Sequence, residues 1–280
     1  MPSEGTGTNW YIARNQWARG KQEDQINRPT RPSDLGLFVQ RLLARSRLTD
    51  EEQHAILALP TREFEVRARQ DFVPLGEETD CCCYIASGLV ARVDQVKNGS
   101  RQITAIHIPG DMADLHSAVR PIGIGGLTAL TDTLILSVPH TAVRTLGRDF
   151  PAIAEAFWRD CILDAAILMQ WAVNLGRKDA RSRLAHILCE LAIRYGGGRG
   201  GPLLEFDLPM VQEQLGDAAA LTSVHVNRSL RALRQERLVT VRGGIVKIHD
   251  WERLMQAGEF DPTYLVADTL PDRQRRLVFQ

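Results

Sequence analysis

Hydrophobic and polar positions change their period along the chain. Between Leu35 and Leu59, apolar residues (Leu37, Leu42, Ala44, Leu48) fall at rough helical spacing, and Thr49-Asp50-Glu51-Glu52 is a capping sequence for a second short helix. The period then shortens. Gly76, Gly88, Gly99 and Gly110 recur every 11 to 12 residues and separate short β-rich runs: Cys83 to Ile85, Leu89 to Val96 and Ile103 to Ile108. Strands of that length punctuated by turn glycines, with Asn98-Gly99 as a hairpin signal, predict an antiparallel β-roll or barrel. Helical spacing returns at Pro151, which is suited to the first position of a helix, and no breaker follows before Leu175.

That helix carries two apolar rows. Ala154, Phe157, Cys161, Asp164, Leu168, Trp171 and Leu175 follow alternating steps of four and three, the spacing of a heptad seam, and predict a dimer interface. Asp164 within it sets register or faces a water-filled gap. The second row, Ile162, Ala165, Met169 and Ala172, lets the helix touch its own roll as well as a partner.

Leu208 to Leu238 reads as two short helices joined by a tight turn, followed by a strand, a Gly-Gly turn and a strand over Val239 to Ile248. With Thr222 as N-cap, Val226, Leu230 and Leu233 form one inward stripe. Val224, Arg228, Arg231 and Gln235 lie on the opposite side, with His225 and Asn227 on the flanks. Helix, turn, helix and hairpin describe a winged helix-turn-helix, whose second helix enters the major groove.

Residues Pro209, Gln212, Gln214 and Leu215, then Leu221 through Arg228, Leu230 and Leu233, resemble the DNA-binding signature of the Crp-Fnr transcription regulators. Gly176-Arg177 through Leu191 resembles that family's hinge and following helix, and Arg101 to Asp111 more weakly resembles its sensor domain. The resemblance spans about Leu35 to Trp251. It implies an α+β chain with an N-terminal cyclic-nucleotide-binding-like β-roll, a long dimerisation helix and a C-terminal winged helix-turn-helix. The expected division is a disordered tail over 1–32, the roll over 33–150, the dimerisation helix over 151–176, the DNA-binding domain over 177–255 and a C-terminal tail over 256–280. Trp10, Tyr11 and Trp17 offer a contact site in the first of these. Two departures stand out: Ala220 replaces the usual turn glycine, and Val211 replaces the usual threonine before the first helix.

Composition narrows the class without naming it. The 280 residues balance 34 basic against 34 acidic side chains, which argues against a protein that coats nucleic acid indiscriminately. From Arg177 to Asp250, however, twelve Lys and Arg face eight Asp and Glu. No apolar run approaches a membrane span, no signal peptide opens the chain, and five cysteines with three adjacent do not suit a secreted disulfide framework, so the cytoplasm is the expected location. Serine-histidine-aspartate order, a nucleophile elbow and metal-spaced histidines are absent, and an enzyme is not expected.

The resemblance implies DNA contacts from Thr222, Ser223, Val224, His225, Asn227, Arg228 and Arg231, with duplex DNA, RNA polymerase and a second copy as partners. Arg228 matches the family's base-reading arginine, and Val224 replaces an acidic reader of some relatives. An effector pocket is expected around Gly110, Asp111, Met112, Leu115 and Thr128. The Arg-Ser or Arg-Thr pair that holds a cyclic phosphate has no counterpart in Ile122 to Thr128, which speaks against cyclic AMP; Arg120 is the one nearby substitute. The cofactor is not assigned by the sequence. Cys81, Cys82 and Cys83 alternate across a strand, poor geometry for one tetrahedral metal site, and are expected to be small core residues; no metal is assigned. A thiol-redox effector (Cys161 included), a haem ligated by His54, His107 or His116, and a nucleotide-binding module acting on a partner protein stand as alternatives. The cysteine-free stretch 1–80 excludes the family's iron-sulfur cluster.

Overall fold

The computed structural model describes residues 35–197 and 201–266. The expected tail over 1–32, with Trp10, Tyr11 and Trp17, and the last residues from 267 lie outside the described residues.

Two helices open the fold, α1 (Gly36–Leu43) and α2 (Asp50–Leu57). The capping sequence before α2 closes as expected: Glu52 N–H donates to Thr49 Oγ1 at 3.2 Å and Thr49 N–H to Glu52 Oε2 at 2.7 Å. Seven strands follow: β1 (Arg62–Val66), β2 (Asp71–Val73), β3 (Cys81–Ser87), β4 (Val90–Gln95), β5 (Arg101–His107), β6 (Gly126–Ala129) and β7 (Thr133–Pro139). They form two antiparallel sheets, ordered β1-β7-β3 and β2-β6-β4-β5. The four turn glycines all adopt positive φ, between 77° and 96°, a region closed to most side chains. Inside the roll, Val66, Val73, Cys83, Ile85, Val90, Ala113, Leu127, Ala129 and Ile135 fill the space between the sheets.

Helix α3 (His140–Asp149) leads into the 27-residue α4 (Pro151–Arg177). The winged unit comprises α5 (Ala180–Tyr195), β8 (Glu205–Asp207), α6 (Gln212–Ala219), α7 (Ser223–Gln235), β9 (Val239–Arg242), β10 (Ile245–Ile248) and α8 (Trp251–Ala257). A last turn, α9 (Thr263–Val266), packs against α4 and is tied to α5 by the Tyr264 hydroxyl, which donates to Glu190, so the segment expected as a tail from 256 begins as packed structure: Phe260 and Leu265 are buried.

The two halves share one core. Leu89, Ala91, Val93, Ile103, Ile106, Ile108 and Leu130 of the roll cluster with Leu188, Leu215, Ala218, Val226 and Leu233 of the winged unit. Polar contacts register this interface: Gln102 Nε2 donates to Asp217 O at 2.7 Å, and Gln214 Nε2 to Leu130 O at 3.2 Å. Gln102 and Arg183 thereby satisfy carbonyls in the last turn of α6, which a helix leaves without intrahelical partners.

The row expected as a seam along α4 packs largely against its own chain. Phe157 stacks on Phe38 with ring centroids 6.0 Å apart, Trp171 is 1% exposed, and Cys161 and Leu175 are half-buried against the chain's own body. Asp164 faces Arg92 on β4 at 3.8 Å. Of that row only Leu168 is exposed. The outward row is the second one, with Trp158, Ile162 and Met169 all at least half exposed and Ala165 and Ala172 between them. Both rows repeat at the same spacing, so periodicity could not choose which one the roll would claim.

Local departures from the family pattern leave visible marks. Gln214 Oε1 accepts Val211 N–H at 2.9 Å, half of a capping box, while the Val211 side chain has no oxygen to return the bond. Ala220 sits at φ 52° and ψ 50°, the left-handed conformation anticipated for the missing glycine. Gly216 is obligatory, because a Cβ there would lie 2.4 Å from the Leu221 carbonyl oxygen.

Two stability predictions follow from this packing. Trp171→Ala removes a fully buried ring and its 2.9 Å hydrogen bond to Glu190, and is expected to lower unfolding free energy by about 3–5 kcal/mol in urea titrations. Val211→Thr completes the capping box and is expected to raise stability by about 0.5–1 kcal/mol in the same measurement.

Candidate DNA interface and sensor roll

Helix α7 is held at its start by Thr222, whose hydroxyl accepts His225 N–H at 3.4 Å and bonds His225 Nδ1 at 2.9 Å. Its inner side buries Val226, Ser229 and Leu233, with Leu230 partly covered. Thr222, Ser223, Val224, His225, Asn227, Arg228 and Arg231 are all exposed, so the side chains expected to meet DNA share one accessible surface. Val224 is 69% exposed, an apolar side chain projecting among basic and polar neighbours. Arg234, Arg237 and Arg242 extend the positive surface toward the wing, whose Gly243-Gly244 turn has both residues at positive φ, as a two-residue hairpin demands.

Asn227 differs from its neighbours. It makes a reciprocal amide pair with Gln212 at the start of α6, at 2.7 and 2.5 Å. The pair fixes the crossing of the two helices. Sequence spacing gave no sign of it, because the partners stand 15 residues apart.

The residues expected to line an effector pocket do not converge. Thr128 lies on the outer side of its sheet, bonded to Asp71 and to Arg101 at 2.9 Å, while its neighbours Leu127 and Ala129 point into the roll. Met112 and Leu115 pack in the cluster beneath α1 and α4. Gly110 and Asp111 turn toward α1 and α5. There Asp111 pairs with Arg41 and, at 2.7 Å, with Arg194, and accepts Ile108 N–H at 2.8 Å. These cations and the amide hold the Asp111 carboxyl below its ordinary range against the opposing effect of burial.

The sequence reading missed Arg92. It extends from β4 toward α4, donates to Ala113 O, lies 3.8 Å from Asp164, and covers Gly125, where a Cβ would meet its Cγ at 2.6 Å. A basic group therefore stands at the α4-facing end of the roll, already engaged with its own chain. Arg120, the substitute suggested by the sequence, is exposed.

All three adjacent cysteines are buried and unbridged. Cys83 points into the roll and Cys82 into the helix-covered cluster, opposite faces as alternation requires. Burial pushes Cys81 up to about 12 and Cys82 further, so neither is a reactive thiolate near neutral pH. Cys161 is likewise raised to about 12 by burial and by Asp160 and Asp164. Among the described residues no cluster of His, Cys, Asp or Glu is arranged to hold a metal. His54 is exposed, His107 is buried, and burial lowers His116 to about 4. No helix among the described residues is long and apolar enough to cross a membrane.

Residues 182–257 match the family model of the Crp-like helix-turn-helix domain. Similarity extends beyond that domain. The regulatory protein HlyX of Actinobacillus pleuropneumoniae is 25% identical over 207 residues, 74% of this chain and 86% of HlyX. The transcriptional activator protein FnrL of Cereibacter sphaeroides is 24% identical over 212 residues, 74% of this chain and 84% of FnrL. Among solved structures, FixK2 from Bradyrhizobium japonicum superposes with a TM-score of 0.64 at 25% identity, covering 71% of this chain and 98% of FixK2. A mutant of CooA from Carboxydothermus hydrogenoformans shares the fold, with a TM-score of 0.57 at 20% identity over 76% of this chain and 99% of CooA. Residues 182–257 thus carry a Crp-like helix-turn-helix domain, and over about three quarters of its length the chain is similar to transcription regulators of the Crp and Fnr type.

Proposed function

We propose that the protein is a homodimeric, sequence-specific activator that binds a palindromic DNA site with half-sites about one helical turn apart. The observation that carries this reading is the exposed, N-capped start of α7, where Ser223, Val224, His225 and Arg228 stand together above a buried Val226–Leu233 stripe. Activation extends to this chain what FnrL is named for, a transcriptional activator, and RNA polymerase is the partner that activation calls for.

Arg228 makes a bidentate contact to guanine, and Val224 packs on a thymine methyl where an acidic side chain would seek a cytosine amine. Ser223, Thr222 and His225 contact the backbone or base edges nearest the helix start. Arg231, Arg234 and the wing Arg242 neutralise phosphates. Asn227 positions the helix through Gln212.

Dimerisation uses the outward row of α4: Trp158, Ile162, Ala165, Met169 and Ala172, with Leu168 at its margin. Five apolar side chains along one exposed face form a patch of the kind that soluble chains cover with a partner. The small alanines between large residues allow close helix approach.

Cyclic AMP is not the effector in this reading. Supporting this, Asp111 is engaged by two arginines, Thr128 faces away from the roll interior, and Arg92 is bonded to Ala113 and beside Asp164. The buried thiols speak equally against cysteine redox as the trigger.

Met169→Glu places a charge in the outward row and is expected to convert the dimer to monomer in sedimentation at micromolar concentration, with specific DNA binding lost and the circular dichroism spectrum unchanged. A dimer unchanged in this variant would place the interface elsewhere. In binding-site selection, Arg228→Ala is expected to relax the preferred base at one position per half-site, a loss of about 1–3 kcal/mol of discrimination. Arg231→Ala is expected to weaken all sequences alike. The converse pattern would reverse the two assignments.

A further inference from the structure

One buried charge cluster has no part in DNA contact or in the dimer row. Asp160 and Asp164, one turn apart on α4, face a small cavity of about 20 Å³, room for about one water molecule. The cavity lies where several elements meet. Arg41 reaches it from α1, Arg45 from the turn that follows α1, and Asp111 from the turn after β5, while Arg92 of β4 approaches Asp164 at 3.8 Å. Leu163 and Ile167 of α4 and Met112 line it as well, and Ile193 and Arg194 of α5, Gly197 and Leu265 of α9 close it. That closing side belongs to the DNA-binding half.

The two carboxylates are only loosely paired. Asp160 lies 3.8 Å from Arg45 and Asp164 lies 3.8 Å from Arg92. The better geometries go elsewhere: Arg194 binds Asp111 at 2.7 Å and Glu190 at 3.2 Å. Glu190 in turn accepts Trp171 Nε1–H and the Tyr264 hydroxyl, each at 2.9 Å. His107, buried beside Asp111, is pressed toward its neutral form by burial. Asp160 and Asp164 thus share one junction, largely screened from water and only loosely matched by cations, as long as α5 and α9 close the cavity.

We propose that this junction is a proton-linked latch: a proton taken up from solvent by the Asp160–Asp164 pair holds the DNA-binding half on the roll, and its loss releases that half. Burial raises both carboxyls, Asp160 to about 6 and Asp164 to about 7, aided by the Asp111 charge on both and by Asp160 on Asp164, against the partial opposition of Arg45 on the first and Arg92 on the second. Asp164 keeps 29% of its side-chain exposure, a path by which solvent protons reach the pair. Lifting α5 and α9 hydrates both carboxylates and returns them toward the ordinary carboxylate range. The docked form therefore binds more protons, and docking is favoured at low pH and weakened as pH rises through 6 to 7. Above that window both groups are ionised in either form and the dependence flattens.

The test uses the full-length protein without DNA, so it stands apart from the identity of the operator. Small-angle X-ray scattering from pH 5.5 to 8.5 separates docked from extended forms. Wild type is expected to extend as pH rises, the released-to-docked ratio growing about tenfold between pH 6 and 7. The double variant Asp160→Asn/Asp164→Asn, which mimics the protonated pair, is expected to stay docked at pH 8.5, with folding checked by circular dichroism. Asp164→Asn alone keeps the Asp160–Arg45 pair and is expected to stay docked to higher pH than wild type. Asp114, raised to about 6 by burial but bonded to Cys83 N–H within the roll, is the control, and Asp114→Asn is expected to follow the wild-type profile. Scattering that is independent of pH in wild type, or a wild-type profile in either Asp164 variant, overturns the latch.

Discussion

Arg194 is the interaction on which the relation of the two halves depends. It projects from α5, the first helix of the DNA-binding half, and meets Glu190 on its own helix and Asp111 in the roll, with its side chain 6% exposed. A guanidinium taken out of water is costly unless its donors are matched, and removing one partner of such a group leaves an uncompensated charge. Here the matching carboxylates come from two different halves. Neither half can satisfy Arg194 alone, so the buried charge specifies where the second sits on the first. The apolar contacts across β4 and β5 supply area, and the ion pair supplies register.

The same arrangement explains why the sensor region departs from a nucleotide site. Gly110-Asp111 occupies the position where the family resemblance implies a ligand contact, yet the Asp111 carboxylate meets Arg41 and Arg194. Arg92, the basic group nearest the α4 end of the roll, reaches Ala113 and faces Asp164. The charged groups nearest the expected ligand position are here satisfied by the polypeptide. The roll interior is filled by Cys83, Ile85, Leu127 and Ile135.

Much of the architecture was legible because it is local. The winged unit announces itself through a stripe at Val226, Leu230 and Leu233, a capping Thr222 and a Gly-Gly turn, all determined by neighbours within one helix or hairpin. The left-handed Ala220 was legible for the same reason. What stayed hidden depends on distant partners. Strands β1, β2, β6 and β7 carry weak alternation, and their pairing is set by contacts across the roll. Thr128 was misplaced by one step, since a strand alternates faces and its neighbours Leu127 and Ala129 took the interior. Packing of 258–266 onto α5 rests on Phe260, Leu265 and the Tyr264 hydroxyl, three residues in a segment whose composition resembles a tail.

Helix α4 shows why the choice between its two apolar rows matters. Asp160 and Ile162 lie about 200° apart around the helix, so the face toward the charge junction and the exposed apolar face are nearly opposite. Phe157 and Trp171 anchor the helix to α1 and α5 respectively. A seam through those two residues would have required them to serve the monomer core and a partner at once, which close packing does not permit. With the outward row left over, one element bears the junction on one side and the proposed dimer surface on the other. In the proposed dimer, a change in how α5 closes on Asp160 and Asp164 acts on the same helix that would set the spacing of two recognition helices, with no intervening chain of side-chain rearrangements.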